Sequence, residues 1–434
     1  MKRSTVFGGI VLTLCLVHSL QAQENLRERL DDENGVRSDV WVYNDIEAAR
    51  EQARKENKPV FVTFRCVPCE ACAAFDADVA KGNDRIREIA KEKFVSVRQV
   101  EMKGVDLSLF QFDHDLNWAA MFINADGTIY ARYGTQSAEG PDAYNSIEGL
   151  LATMERVLEL HENYPANKDQ LVAKRGTRKI DSALKMPGLQ NPAKYKSETT
   201  RKNCIHCHNI HDAENFVAQE NGPIKHDLLW RYPLPDQIGL SIDRKDGVTI
   251  ANIVEGSPAE KAGFQAGEKI EFMNGQAITS IADMQWVLHH LPNNETAVEV
   301  KGSKSGMQTV SLDTGWKQYD VSWRGSMWSV SPKLRVWMPI LASAKRKELG
   351  IDDANTALEV KWINRGSEGG KGAIASGLRQ NDIVIAMEGK PLKDGMNPKS
   401  LNTYIKLNYV VGQELPITVI RNGKKMELKI KLVE

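Results

Sequence analysis

Five of the six cysteines stand in two tight clusters, and those clusters define the chemistry to consider. The first is Cys66-Val67-Pro68-Cys69-Glu70-Ala71-Cys72; the second is Cys204-Ile205-His206-Cys207-His208. Two thiols three residues apart at a helix N-terminus feel unpaired amide groups, which favour the thiolate. Cys66 is then the exposed attacking thiol, and Cys69 resolves the mixed disulfide. Cys72 falls one helical turn beyond Cys69 on the same face. It is an alternative resolving thiol, a third ligand for a metal, or a small buried hydrophobe. The second cluster is the pattern of covalent haem c attachment, with Cys204 and Cys207 on the haem and His208 on the iron. His226 or Met186 is left as the opposite axial ligand, because His211 lies one turn from His208 on the same side. Zinc is the alternative occupant, held by Cys204 and Cys207 with two of His206, His208, His211 and His226. A plain disulfide, or two thiols, is the third reading.

The elements around the first cluster suit thiol chemistry. Ile46, Ala49 and Ala53 recur at helical spacing. Val60-Phe61-Val62-Thr63-Phe64 reads as a buried strand running straight into Cys66. A helix follows the cysteines to about Val79, and another carries Ile86, Ile89 and Ala90. Val95 to Val100 alternates as a strand, the Asn124-Ala125-Asp126-Gly127 stretch turns a hairpin, and Ser146 to Leu160 is an amphipathic helix. Strand, Cys-x-x-Cys, helix over residues 40–162 resembles the thioredoxin superfamily, and its thioredoxin-7-like branch in particular. The resemblance implies a proline ahead of the hairpin strand, facing the cysteines. Asn117-Trp118-Ala119-Ala120 stands there instead. That departure, with the extra Cys72, argues against a generic thioredoxin.

The N-terminus bears on compartment. Lys2 and Arg3, the apolar run Val6 to Val17 and Ser19-Leu20-Gln21-Ala22 read as a signal peptide over residues 1–22, so the protein is expected in the periplasm. No later stretch is apolar enough to span a bilayer. The chain has 434 residues, 41% of them hydrophobic and 26% charged, which suits several globular domains. Lys+Arg and Asp+Glu balance at 57 each, so net charge supplies no reason to expect a nucleic-acid partner. Residues 165–235 are a basic linker leading into a small helical CxxCH segment. Between Lys174 and Lys202 nine Lys/Arg face two acids.

The C-terminal half carries a repeated pattern. Ile238-Gly239-Leu240-Ser241-Ile242 is a glycine-containing loop entering a strand, and Gly256-Ser257-Pro258-Ala259 through Ala266-Gly267 follows. Residues 236–314 closely resemble a bacterial, protease-associated PDZ module. The resemblance implies that Ile238 to Ile242 take an extended peptide as an added strand, with loop amides on its terminal carboxylate. Ala282 to Leu288 is the groove helix. Residues 333–434 form a degenerate second copy, with Leu349-Gly350-Ile351 as its loop and Ser400 to Leu407 as its helix. The connector 315–332 and its surroundings hold Trp316, Trp323, Trp328 and Trp337, which suggests packing between domains. No Gly-x-Ser-x-Gly nucleophile turn precedes the PDZ copies.

The expected fold class is therefore multidomain α/β and α+β: a thioredoxin-like α/β domain, a small helical CxxCH segment and two β-rich PDZ-like domains. Taken in this order they resemble a planctomycete-type family of thioredoxin-like/PDZ (seleno)proteins. The expected function is a periplasmic thiol and haem redox protein with an unnamed redox partner, whose PDZ modules recruit an envelope protein or a peptide C-terminus. The alternative is a non-catalytic envelope scaffold with zinc or a disulfide at the CxxCH.

Overall fold

The computed structural model describes residues 39–65, 73–197, 199 and 203–434, together with Glu28, Asp32 and Val36. The chain divides into two compact units. One joins Met1–Ala213 to Trp230–Arg324, and the other joins Glu214–Leu229 to Gly325–Glu434.

In the first unit, β1 (Trp41–Tyr43), α1 (Ile46–Glu56), β2 (Val60–Arg65), α2 (Ala73–Ala77), α3 (Asp84–Glu92), β3 (Val95–Gln99), β4 (Trp118–Ile123), β5 (Ile129–Tyr133) and α4 (Ile147–Glu162) build an α/β layer. The sheet order is β1-β3-β2-β4-β5. β1 and β2 run parallel to β3, whereas β4 is antiparallel to β2 and β5. β2 is buried along its whole length, which is why it reads as an unbroken apolar run. Its alternate residues serve two cores: Val60, Val62 and Phe64 face one cluster and Phe61 the other. Asp45 caps α1 by accepting the Ala48 amide at 2.9 Å, and Ser146 caps α4 by accepting the Gly149 amide at 2.9 Å.

The same unit continues into α5 (His208–Gln219), which starts within the CxxCH and passes to the second unit at Glu214, and α6 (His226–Leu229) belongs to the second unit. The PDZ module then runs β6 (Leu240–Ile242), β7 (Ile250–Ile253), α7 (Pro258–Lys261), β8 (Ile270–Met273), β9 (Gln276–Ala277), α8 (Ile281–His289), β10 (Thr296–Gly302) and β11 (Gly306–Leu312). β6 pairs with β7, and the remaining strands order as β11-β10-β8-β9.

The second unit repeats this plan with one insertion: β12 (Val336–Trp337), α9 (Ser343–Glu348), β13 (Leu358–Glu359), β14 (Trp362–Ile363), α10 (Glu368–Ala375), β15 (Ile383–Met387), β16 (Lys390–Pro391), α11 (Pro398–Asn408), β17 (Glu414–Arg421) and β18 (Lys424–Lys431). β12 pairs with β14, and β13-β15-β17-β18 form the main sheet, with β16 on β15. No helix among the described residues is long and apolar enough to cross a membrane.

Candidate peptide-binding grooves

Ile238 to Ile242 meet at a strand edge. The Val254 amide donates to the Gly239 carbonyl at 3.1 Å, so Leu240 and Ile253 are an antiparallel pair that exchanges no bonds. The N–H and C=O of Leu240 therefore point away from β7. Among the described residues β7 is the one strand paired with β6. Gly239 permits the turn that precedes it: its φ is +92°, and a Cβ there would lie 2.1 Å from Ser257 Oγ. Ser257 is fixed in turn, because its Oγ caps α7 by accepting the Glu260 amide at 3.2 Å. Asp236 sits in the same loop, half-buried, and burial raises its carboxyl.

α8 is gripped on two faces. Ile281, Met284, Val287 and Leu288 enter the PDZ core. Asp283, Gln285 and Trp286 turn instead to the thioredoxin-like domain and to the segment 165–235 that follows it. Asp283 accepts from Lys174 Nζ at 2.6 Å and from the Arg132 amide at 3.2 Å. Gln285 accepts from Thr135 Oγ1 at 2.9 Å and donates to the Tyr232 carbonyl at 2.7 Å. The Arg132 guanidinium lies 3.6 Å from the Trp286 ring centroid, and Trp286 Nε1 donates to the Ala173 carbonyl at 3.1 Å. All eight residues from Ile281 to Leu288 are buried. Tyr144 of the thioredoxin-like domain also packs on the PDZ core; burial and the Asp236 and Glu139 carboxylates push its phenol up to about 12.

The second unit places Leu334-Arg335-Val336 in the same register. The Asn364 amide donates to the Arg335 carbonyl at 3.1 Å, and Val336 opposes Ile363 as Leu240 opposes Ile253. Arg335 takes the positive φ of +54° that Gly239 takes in the first module. Ser367 caps α10 as Ser257 caps α7. The loop expected at Leu349-Gly350-Ile351 is thus corrected. Those residues end α9, where Gly350 has φ +67° and its amide donates to the Lys347 carbonyl at 3.0 Å. A glycine marks a helix end as readily as a carboxylate loop, and the real loop has none.

The cysteine segments are separate from these grooves. Cys66, Cys69 and Cys72, and the signal-peptide reading of residues 1–22, lie outside the described residues. Beside the first cluster, Asp76 is buried against Arg65 at 3.2 Å and Arg98 at 2.8 Å. Trp118, at the place where the thioredoxin resemblance implies a proline, donates its Nε1 to Asp76 at 3.2 Å. Cys204 and Cys207 are buried, Cys207 in one apolar cluster with Ile205, Ile210 and Met186. His208 is partly exposed, with Nδ1 3.0 Å from Asp212 Oδ2. Burial and the nearby His208 and Lys194 hold the His206 imidazole down to about 4. His226, the expected axial ligand, starts α6 in the second unit.

A buried polar cluster escaped the sequence reading. Asp113, Asp115 and His211 gather side-chain atoms within 4.8 Å of one another, a spacing that suits a metal. Arg324 already fills that position, reaching Asp113 at 2.7 Å and Asp115 at 3.0 Å. A guanidinium there opposes a second cation, so the cluster reads as a structural clamp. Nothing in the local sequence pattern pairs residues about two hundred positions apart. His114 stacks on His211 at 5.5 Å, wholly buried, and neither ring nitrogen has a hydrogen-bond partner.

Comparison with known proteins matches residues 41–125 to a thioredoxin-like family and residues 237–312 to the PDZ domain family. The chain carries both domains. Among curated proteins it is similar to a probable periplasmic serine endoprotease DegP-like of Marinomonas, 25% identical over 46% of this chain and 40% of that protein. It is also similar to the periplasmic pH-dependent serine endoprotease DegQ of Escherichia coli, 21% identical over 44% of this chain and 38% of that protein. The chain thus spans about two fifths of the length of the curated relatives it matches. Among solved structures, the HtrA3 PDZ domain bound to a phage-derived ligand covers 24% of this chain and 85% of its own, at 17% identity and a TM-score of 0.18.

These relatives correct the functional expectation. They are named as periplasmic serine endoproteases, and those names point to neither haem c nor thiol redox chemistry. The thiol and haem redox reading, its redox partner, haem c at Cys204, Cys207 and His208, and the alternative of a scaffold holding zinc or a disulfide are therefore set aside. The packing of Cys207 as a small hydrophobe agrees with this. The periplasmic expectation agrees with the relatives' compartment.

Proposed function

We propose that this protein recognises peptide C-termini in the periplasm through its PDZ module, and that its thioredoxin-like domain braces the groove helix. The loop geometry carries the reading. Gly239 gives a left-handed turn against Ser257, and the next residue, Leu240, presents its amide and carbonyl away from its partner strand. An extended peptide adds to such an edge by main-chain bonds, while the loop amides meet its carboxylate. The PDZ family match over residues 237–312 supports the same mode. The bonds from Lys174, Arg132 and Thr135 to α8 hold the opposite wall of that groove. The endoprotease activity in the relatives' names is not carried over, since the chain spans only about two fifths of their length.

Binding of labelled peptides to the full mature chain tests this. Peptides with a free C-terminal carboxylate should bind at least about tenfold more tightly than the same peptides ending in an amide, because the amide removes a charge-assisted set of hydrogen bonds. Equal affinity for the two forms would sink the proposal.

A further inference from the structure

The basic charge of this chain is gathered at one end. Residues 325–434 hold 18 Lys and Arg against 11 Asp and Glu, a balance of +7, whereas residues 23–324 hold 37 against 46. Charge of one sign on one module favours a partner of the other sign from a distance. The same module leaves large apolar side chains uncovered. Trp328, Trp337 and Trp362 are 69%, 54% and 55% exposed, and Ile340 is 49% exposed. A single exposed apolar residue is ordinary, but a group of them marks an interaction surface.

Backbone register groups these residues. Trp337 opposes Trp362 across β12 and β14, so both indoles leave the strand pair on one face. Val336 and Ile363, the neighbouring pair, turn the other way into the core. Arg335 links Trp328 to this face: its guanidinium lies 5.1 Å from the Trp328 ring centroid, and it precedes Trp337 by two residues. Cations rim the patch. Lys361 and Arg365 flank Trp362 in sequence, and both are exposed. The acids on either side, Glu359 and Glu368, are each paired with a lysine at 2.6 Å. The Lys333 amide donates to the Val433 carbonyl at 3.0 Å, which sets the end of β18, with its exposed Lys431, beside the same loop.

We propose that this face of the second unit docks the protein on a lipid bilayer rich in anionic headgroups. Trp328, Trp337 and Trp362 enter the headgroup layer, and Arg335, Lys361 and Arg365 meet the lipid phosphates. Indoles favour that layer, because the ring buries its apolar body while its N–H keeps a polar partner. Lys and Arg beside them are drawn to the negative surface potential of anionic lipid. An acidic protein would answer the cations but would need a fitted pocket for each indole; a bilayer interface takes both together. The periplasm places such a surface within reach.

The test is flotation of the full mature chain with phosphatidylcholine vesicles containing about 30% phosphatidylglycerol, against pure phosphatidylcholine. Binding to the anionic vesicles should be at least about tenfold tighter, and should weaken at least about tenfold between roughly 50 and 500 mM salt. Trp337→Ser with Trp362→Ser should cost at least about tenfold, as should Lys361→Glu with Arg365→Glu. Met307→Ser, at a residue of the first module that is 56% exposed, should change nothing. Circular dichroism checks that each variant folds. Quenching of the parent's tryptophan emission by brominated phosphatidylglycerol reads the same contact without any variant. The proposal is overturned if the parent fails to bind anionic vesicles, binds neutral ones equally, escapes quenching, or if either folded double variant binds as the parent does. A parent dimer in analytical ultracentrifugation that the tryptophan substitutions dissolve also overturns it, because the face then belongs to a second copy of the chain.

Discussion

The PDZ module and the similar module of the second unit reach one backbone geometry by opposite distributions of side chain. In the first, the loop gives up its Cβ: Gly239 lets Ser257 and Ala259 come close. In the second, the loop keeps a full side chain at Arg335, and the helix gives up its own. A Cβ on Gly369 would lie 2.1 Å from the Lys333 carbonyl, and one on Gly370 1.9 Å from the Asn364 carbonyl. The close approach is conserved in space and has moved across the contact. A pattern that looks for glycine in the loop therefore finds the first module and misreads the second. The modules also differ in what surrounds the groove helix: α8 is buried against an adjoining domain, and α11 carries a buried lysine instead.

Breaking the brace should have the largest effect. Lys174 and Asp283 are an almost fully buried pair, and removing one partner strands the other. Asp283→Ala is expected to cost the first unit about 3–5 kcal/mol, measured by chemical denaturation. Asp283→Asn with Lys174→Met should recover much of that loss. If Asp283→Ala is near neutral, the thioredoxin-like domain does not brace the groove.

The glycine exchange comes next. Gly239→Ala in the first unit and Gly370→Ala in the second should each cost about 3 kcal/mol, because a Cβ would overlap fixed neighbours. Arg335→Gly should change the second unit's stability by less than about 1 kcal/mol. A small cost for Gly370→Ala would mean that its Cβ finds room beside the Asn364 carbonyl.

Lys406 adds a pH signature to the second unit. Its native pKa lies below the unfolded value, so between about pH 7 and the ordinary lysine range the unfolded chain holds more protons. Stability should then rise with pH in that window, by on the order of 1 kcal/mol per unit. Lys406→Met should be flat from pH 7 to 9 and more stable than the parent at pH 7. A parent curve that is already flat would show that Lys406 is paired.

The legible parts of this molecule were those written locally. β2 is an apolar run of β-branched and aromatic residues, and α1 and α4 carry their caps beside them in sequence. Ile238-Gly239-Leu240 shows its glycine and its following strand together. The misread parts depend on distant partners. The CxxCH spacing suggests a ligand set, yet Cys207 is filled in by Ile205, Ile210 and Met186, and the apolar cluster they form is not visible in a five-residue motif. Asp113, Asp115, His211 and Arg324 come from three separated segments. Trp328 and Trp337 looked like packing tryptophans, but they are 69% and 54% exposed. Lys406 stands in the last turn of α11, and only tertiary burial makes it unusual.

The smallest expected effect sharpens the contrast from the acid side. His114 in the first unit is buried with both ring nitrogens unpartnered, and burial, with His211, Arg178 and Arg231 nearby, keeps it neutral, while Asp115 pulls the other way. Its native pKa lies well below 6.5, so as pH falls through that value the unfolded chain takes up a proton that the native state refuses. Lowering pH from 6.5 to 5.5 should cost the first unit roughly 1 kcal/mol through this group. His114→Leu should lessen the slope of that part of the curve, leaving the share of His206, His289 and His290, without altering the second unit's rise between pH 7 and 9. The two units then respond on opposite sides of neutrality, the second through Lys406 and the first through His114 together with His206, His289 and His290, which burial also lowers. If acidification leaves the parent first unit unchanged while His114→Leu behaves identically, His114 finds a proton acceptor in the native state and the contrast rests on Lys406 alone.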